Sequence, residues 1–341
     1  MQYAIQGFQQ TTFFYGNSDY YALSLGLTPF LDRDNSIATR TLSGGTIFAP
    51  YPISRYSRIE MSAGVVHYNE QFDDPTVEAI SRQYQEQFYG AAVLRQGTSV
   101  PLGVAFVHED TVFREFGPVS GSTFRLAYDA SPHIGDTLSY NTLDLDARKY
   151  LRIGTSGLFA MRFKGFRSFG RTPDFFYFGG NSELRGYDYL SFVGQQGFFA
   201  NAELRFPLIE AMLTPIGVLG GIRGTIFGNI GGAGFPQENY TFQSNDPITS
   251  APIVGFEYGP DGVTIVPIYG EPKTVTGWRL QDGRASYGMG LQTFLLGFPL
   301  HIDYVWKTTF NKDWEDLIFS STGGSNEFRK GKFHFWIGYD F

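Results

Sequence analysis

Few residues in this chain have the types and spacing that chemistry requires. The five histidines, His67, His108, His133, His301 and His334, are dispersed and show no metal-ligand spacing. Cysteine is absent, which removes thiolate metal sites and disulfide scaffolds. Asp32-Arg33-Asp34-Asn35 has the acidic character of a calcium loop but lacks its glycine and distal glutamate, so it reads as a turn. No glycine-rich stretch joins a strand to a helix, so no phosphate cradle is encoded. The expectation is a protein that is not an enzyme and carries no metal or cofactor. The polar group of most interest is Arg185, within Leu184-Arg185-Gly186-Tyr187. A guanidinium can do structural chemistry by pairing bidentately with a carboxylate. Whether it does so depends on the elements around it.

Those elements are strands, because the apolar residues keep a period of two. In Ala200-Asn201-Ala202-Glu203-Leu204-Arg205-Phe206 the even positions are apolar and the odd ones polar. In Leu143-Asp144-Leu145-Asp146-Ala147-Arg148 the even positions are all charged. Leu300, Ile302, Tyr304 and Trp306 alternate with His301, Asp303 and Val305. At the C-terminus Phe333, Phe335, Ile337, Tyr339 and Phe341 share one face, opposite His334, Trp336, Gly338 and Asp340. Counting such segments gives 12 to 14 strands, the range reflecting Glu78 to Leu94, which alternates poorly and suits a strand or a short surface helix.

Alternating strands build either a soluble sandwich, with the apolar face inside, or a transmembrane barrel, with the apolar face towards lipid. Three features favour the barrel. Asp144, Asp146 and Arg148 line one face consecutively, as a wet lumen allows. Aromatic runs at Phe13-Phe14-Tyr15, Phe175-Phe176-Tyr177 and Phe198-Phe199 lie near strand ends, where interfacial girdles belong. Connections also differ in length: Arg152 to Gly157 and Leu296 to Pro299 are tight, whereas Phe235 to Gly283 and Lys307 to Lys332 are long. Composition agrees. Among 341 residues, 17% are aromatic and 17% charged, and no apolar run is long enough for a spanning helix. The net charge of −7 argues against a nucleic-acid partner. Met1 to Gln6 has neither a basic region nor an apolar one, so no signal peptide is visible.

The stretch from Pro173 to Leu208 carries Phe178-Gly179-Gly180, then Leu184-Arg185-Gly186-Tyr187, then Asn201-Ala202-Glu203-Leu204-Arg205-Phe206-Pro207. In this order and strand context it resembles the bacterial surface antigen family of outer-membrane β-barrels, which includes BamA-like assembly barrels and two-partner secretion transporters. Gly224 to Asn229, Arg284 to Leu291 and the turn Tyr51-Pro52-Ile53-Ser54 resemble further family segments. The last strand, with Tyr339 and Phe341, resembles the terminal recognition signal of outer-membrane barrels. The resemblance covers residues 50 to 341 and is nearest to versions that follow a β-propeller region. It implies an all-β fold, a single transmembrane antiparallel β-barrel domain over residues 1–341. A loop at about 168–198 would fold into the lumen, with a long loop at about 235–283. Family barrels have about 16 strands, so further N-terminal strands, a periplasmic or propeller domain and a signal peptide are expected upstream. The implied function is outer-membrane protein insertion or polypeptide translocation in a bacterial outer membrane. Outer-membrane lipid, unfolded client polypeptides and periplasmic accessory domains would be its partners. The rival expectations are a passive or structural pore and a soluble β-binding protein.

A lumen-folded Arg185 needs a countercharge, because a buried unpaired charge is strongly disfavoured. Alternation turns Glu203, Arg205 and Asn229 inward, so Glu203 is the expected partner, with Gly186 permitting the tight turn and Tyr187 anchoring by packing. Asn229 stands where the family usually has an aspartate, which removes one negative partner and predicts a weaker or differently wired lock. The other reading leaves Arg185 in an ordinary exposed loop.

Overall fold

The computed structural model describes residues 3–15, 37–75, 78–79, 96–114, 117–214, 217–236, 239–260, 265–295, 298–339 and 341. One antiparallel sheet of 14 strands dominates it, and 12 of these follow one another edge to edge in chain order. They are β1 (Ala4–Tyr15), β2 (Ile37–Pro52), β3 (Ser57–Phe72), β4 (Leu102–Glu109), β5 (Gly117–Ser131) and β6 (Tyr140–Ile153). Then come β7 (Gly157–Gly170), β8 (Gln196–Thr214), β9 (Gly217–Gly234), β10 (Arg284–Leu295), β11 (Phe298–Thr308) and β12 (Lys332–Ile337). Short strands at Gln96–Ser99 and Val112–Arg114 flank β3 and β5. The strand count therefore falls within the range read from the sequence. Among the described residues β1 and β12 do not pair, so the barrel-type sheet is not closed. Most of the poorly alternating segment before Leu94, and Asp32 to Asn35, lie outside the described residues.

The side-chain alternation is clearest on β8, β10 and β11. On β8, Phe199, Asn201, Glu203 and Arg205 are buried on the concave side, while Ala202 is exposed on the other. On β10, Tyr287, Met289 and Leu291 are exposed on the convex side, and Ser286 and Gln292 are buried. Neighbouring strands extend this convex surface through Ile226, Ile302, Phe163, Leu126 and Val104. So large an apolar surface would not persist in water but suits hydrocarbon, which makes the convex side the lipid face. The concave side carries charge. Glu60 on β3 lies 3.9 Å from Arg125 on β5, which lies 3.7 Å from Asp144 on β6. Asp144 is 3.4 Å from Lys164 on β7, and Asp146 binds Arg148 at 2.8 Å and Arg162 at 2.9 Å. This ladder satisfies the charges across strands, as a polar lumen requires.

Connections sort by end. At one end the turns are tight, as at Ile53–Tyr56, where Ser54 Oγ accepts from Tyr56 and Ser57 backbone N–H groups, and at Gly154–Ser156. At the other end lie residues 171–195, 235–283 and 309–331. The last of these holds two short helices, α1 (Lys312–Ile318) and α2 (Gly324–Phe328). The fully buried Glu315 accepts from the Thr309 backbone N–H at 2.6 Å and from Arg329, which ties the two helices to the top of β11. Val275 from residues 235–283 packs against Trp314 and Leu317, and Ser320 Oγ donates to the Ile253 carbonyl at 2.7 Å. The two long connections thereby form one cap.

Two readings from the sequence need correction. Phe176 and Phe199 are not girdle residues: with Phe178 and Leu184 they form a buried cluster inside the concavity. Phe341 does not continue the lipid-facing row of Phe333, Phe335, Ile337 and Tyr339. Pairing with β11 stops at Ile337, so the chain leaves the pleat, and Phe341 turns inward onto Tyr150, Leu158 and Ala160, only 5% exposed.

Ile226 sits at the middle of β9 and is 53% exposed on the convex face. Ile226→Arg is expected to lower stability in a bilayer by about 2–4 kcal/mol. Urea unfolding followed in liposomes would measure it; a neutral effect would mean that this face meets water.

Candidate functional site: the lumen loop and its arginine

Residues 171–195 leave β7, cross the concavity and return to β8. Their trunk is a small antiparallel pair, Phe176–Phe178 with Phe192–Gly194. Its aromatic rings stack on one another and on Phe199 of the wall, with Phe178 and Phe199 at 5.2 Å between centroids. The tip begins at Gly179 and Gly180, both at positive φ, the region glycine enters without penalty. Backbone N–H groups of Glu183 and Leu184 then donate to the Gly180 carbonyl, closing a turn that presents Arg185. Leu184 faces back into the aromatic cluster and is fully buried.

Arg185 is 3% exposed, and its partners come from three directions. Its Nη2 donates to Glu203 Oε1 on β8 at 2.7 Å. Its Nε donates to the Asn181 carbonyl at 3.0 Å and lies 3.5 Å from Asp303 Oδ2 on β11. The guanidinium carbon rests 4.2 Å from the Phe227 ring centroid on β9, a cation–π contact in a desolvated setting. Glu203 also holds Arg205 at 2.8 Å, and Trp336 Nε1 on β12 donates to Asp303 at 2.8 Å. Two guanidinium groups and two carboxylates therefore meet with balanced charge, the condition under which buried ions are tolerated.

The neighbours of Arg185 fix the rest of the tip. Gly186 has φ +86°, and a Cβ there would stand 2.8 Å from Val305 Cγ1. Tyr187 OH donates to the Ala285 carbonyl on β10 at 3.1 Å. Asn201 Nδ2 reaches the Glu183 carbonyl and, at 2.7 Å, Asn229 Oδ1, while Asn229 Nδ2 donates to Ser286. At the far side of the loop, Arg40 on β2 sits over the Tyr177 ring at 5.8 Å and binds Glu70 at 2.5 Å. The loop thus spans the concavity with one anchor on β2 and the other on β8–β11.

Arg185 and Glu203, which alternation turns towards each other, lie 2.7 Å apart; Gly186 takes a positive φ at the tip, and Tyr187 packs against the aromatic cluster. Asn229 belongs to the supporting amide chain and does not itself pair with Arg185 in this geometry. The second anion is Asp303, which the sequence reading did not assign to the lock. Its signal was available: Asp303 is the acid on the inward face of β11. Tyr339 lies exposed on the convex side and Phe341 inside, where the Arg205 guanidinium covers its ring at 5.1 Å. Among the described residues no cluster of acidic or histidine side chains could hold a metal.

Arg185→Ala leaves Glu203 with Arg205 alone and the buried Asp303 without a guanidinium, an expected loss of about 3–5 kcal/mol. Limited proteolysis should then cut within residues 171–195, and unchanged protection would show that the loop is held by other contacts. Gly186→Ala places a side chain at positive φ against Val305, with an expected cost of about 1–3 kcal/mol, read by the same cleavage.

The Omp85 superfamily domain matches residues 9–341 of this chain. The fold overlays on BamA from Haemophilus ducreyi lacking POTRA domains 1–3 with a TM-score of 0.53 and 12% identity, over 83% of this chain and 53% of that one. An overlay on CdiB from Acinetobacter baumannii gives a TM-score of 0.46 and 12% identity, over 80% of this chain and 39% of that one. The fold likeness rests on the first, and the chain spans about half of that structure's length. No curated protein matches the chain. With the family domain covering nearly all of it, and a β-barrel sheet and lumen loop in place, this chain belongs to the Omp85 superfamily.

Proposed function

We propose that this protein inserts or translocates polypeptides at a bacterial outer membrane. The observation that carries the reading is the arginine lock within an Omp85 domain. Arg185 joins the lumen loop to Glu203 on β8 and, through Asp303, to Trp336 on β12. The loop is therefore coupled to the strand at the edge of the described sheet. That edge strand is short. β12 pairs with β11 only from Leu300 to Val305, leaving Trp306, Lys307 and Thr308 without a β12 partner. An edge with open backbone groups can recruit an incoming strand by augmentation, which is the chemistry that polypeptide insertion needs. The lipid-facing row Phe333, Phe335 and Ile337 beside it offers apolar surface to a client that is itself amphipathic. The partners of this reading are outer-membrane lipid, unfolded polypeptide clients and periplasmic accessory domains.

The occupied lumen counts against a passive pore. The aromatic cluster and the arginine lock stand across the concavity where a solute path would run, with the cap at its end. Depleting the protein in its native cell separates the readings. Insertion predicts reduced levels of folded outer-membrane proteins. Translocation predicts loss of an exported polypeptide while those levels hold. Normal amounts of both, with reduced uptake of small solutes, would overturn the proposal in favour of the pore.

A further inference from the structure

Between the tip of the lumen loop, the cap and the upper ends of β10 to β12 lies a cavity of about 530 Å³. Its charged lining is mostly cationic: Arg284, Lys307, Lys330 and Lys332, against a single acid, Glu327, with Ser191, Thr322 and the His334 imidazole as neutral polar groups. Lys330 already holds Glu327 at 3.0 Å. Among the described residues no carboxylate comes within ion-pair distance of Arg284, Lys307 or Lys332. Asp188 attracts Lys307 only from farther away. Lys307 and Lys332 line the same cavity, so their like charges face a common space. Their placement explains why. The β11–β12 register ends at Val305 opposite Lys332, and Lys307 follows Val305 on the same inward face. The two lysines are therefore diagonal neighbours on one face, with no acid between them. This excess of positive charge occurs in a protein whose net charge is −7. The remaining walls are aromatic: Tyr187, Phe192, Phe319 and Phe328.

We propose that this cavity binds a phosphate-bearing ligand, with the phosphate seated among Arg284, Lys307 and Lys332. A compact dianion matches this cluster better than a single carboxylate does. Lysine acts as a strongly hydrated point charge suited to phosphate, and Arg284 adds planar donors. The volume is that of a small-molecule site rather than of an extended chain, and the aromatic walls would take the apolar or ring portion of the ligand. Lys307 Nζ stands 4.8 Å from the Tyr187 ring, and Tyr187 is part of the loop tip. Bound phosphate would therefore offset the like charges at the end of the β11–β12 pairing and brace the tip at the same time.

The test is calorimetric titration of inorganic phosphate into the detergent-solubilised full-length protein at an ionic strength of about 0.01 M, where screening is weak. Saturable binding is expected. It should weaken at least tenfold in Lys307→Gln/Lys332→Gln and stay unchanged in Lys312→Gln, which removes the same type of charge from the outside of the cap. Heat-modifiable gel migration reports folding, and Lys332→Gln alone repeats the comparison should the double variant fail to fold. Phosphatidic acid in dodecylmaltoside micelles that displaces inorganic phosphate assigns the group to a lipid, and failure to displace it assigns a soluble ligand. The proposal is overturned by absence of saturable phosphate binding, by equal affinity in the folded lysine variants, or by an oligoglutamate peptide binding where phosphate does not.

Discussion

A guanidinium held away from water dictates much of this structure. Arg185 can stay inside the concavity only because Glu203, on the strand that follows the loop, and Asp303, on a strand far along the chain, are both carried there. Two carboxylates near one guanidinium would leave excess negative charge, and Arg205 removes it by sharing Glu203. Each charge therefore depends on the others, and the backbone that carries them is fixed as a consequence. Gly186 must be glycine because the contact with Val305 leaves no room, and Asn181 must turn its carbonyl towards Nε.

The sheet solves the complementary problem. Its convex side exposes Ile226, Met289, Leu291 and Ile302, while its concave side carries paired charge from Glu60 to Asp303. A soluble sandwich would reverse this arrangement, with the apolar residues packed inside. The aromatic cluster around Phe178 is the exception that makes the lumen loop possible. It gives a polar interior a dry patch on which a loop can pack, so that the arginine lock is desolvated on one side.

The strands were legible because a period of two survives wherever one face meets lipid and the other a polar lumen. Glu203 could be paired with Arg185 for the same reason, since alternation alone turns it inward. Asp303 and Trp336 were harder, because nothing local says which inward residue of β11 or β12 meets a loop tip; only the curvature of the sheet decides it. Aromatics misled for a related reason. Phe176 and Phe199 have the composition of girdle residues, and sequence cannot separate a ring in lipid from a ring in a lumen plug. Phe341 was misassigned because its side follows from where pairing ends, at Ile337, and not from the pattern of residues.

The two-sided anchoring of the lumen loop has a consequence for assembly order. Tyr187 reaches a carbonyl 98 residues further along the chain, and Tyr177 meets Arg40 on β2. Contacts between such distant segments form late, after the chain entropy of closing large loops has been overcome. Until β11 arrives, Arg185 lacks one of its two carboxylates and the tip has no floor. Docking of the loop can therefore be complete only when early and late strands occupy the same curved sheet, and a misregistered sheet would leave a naked charge in the interior.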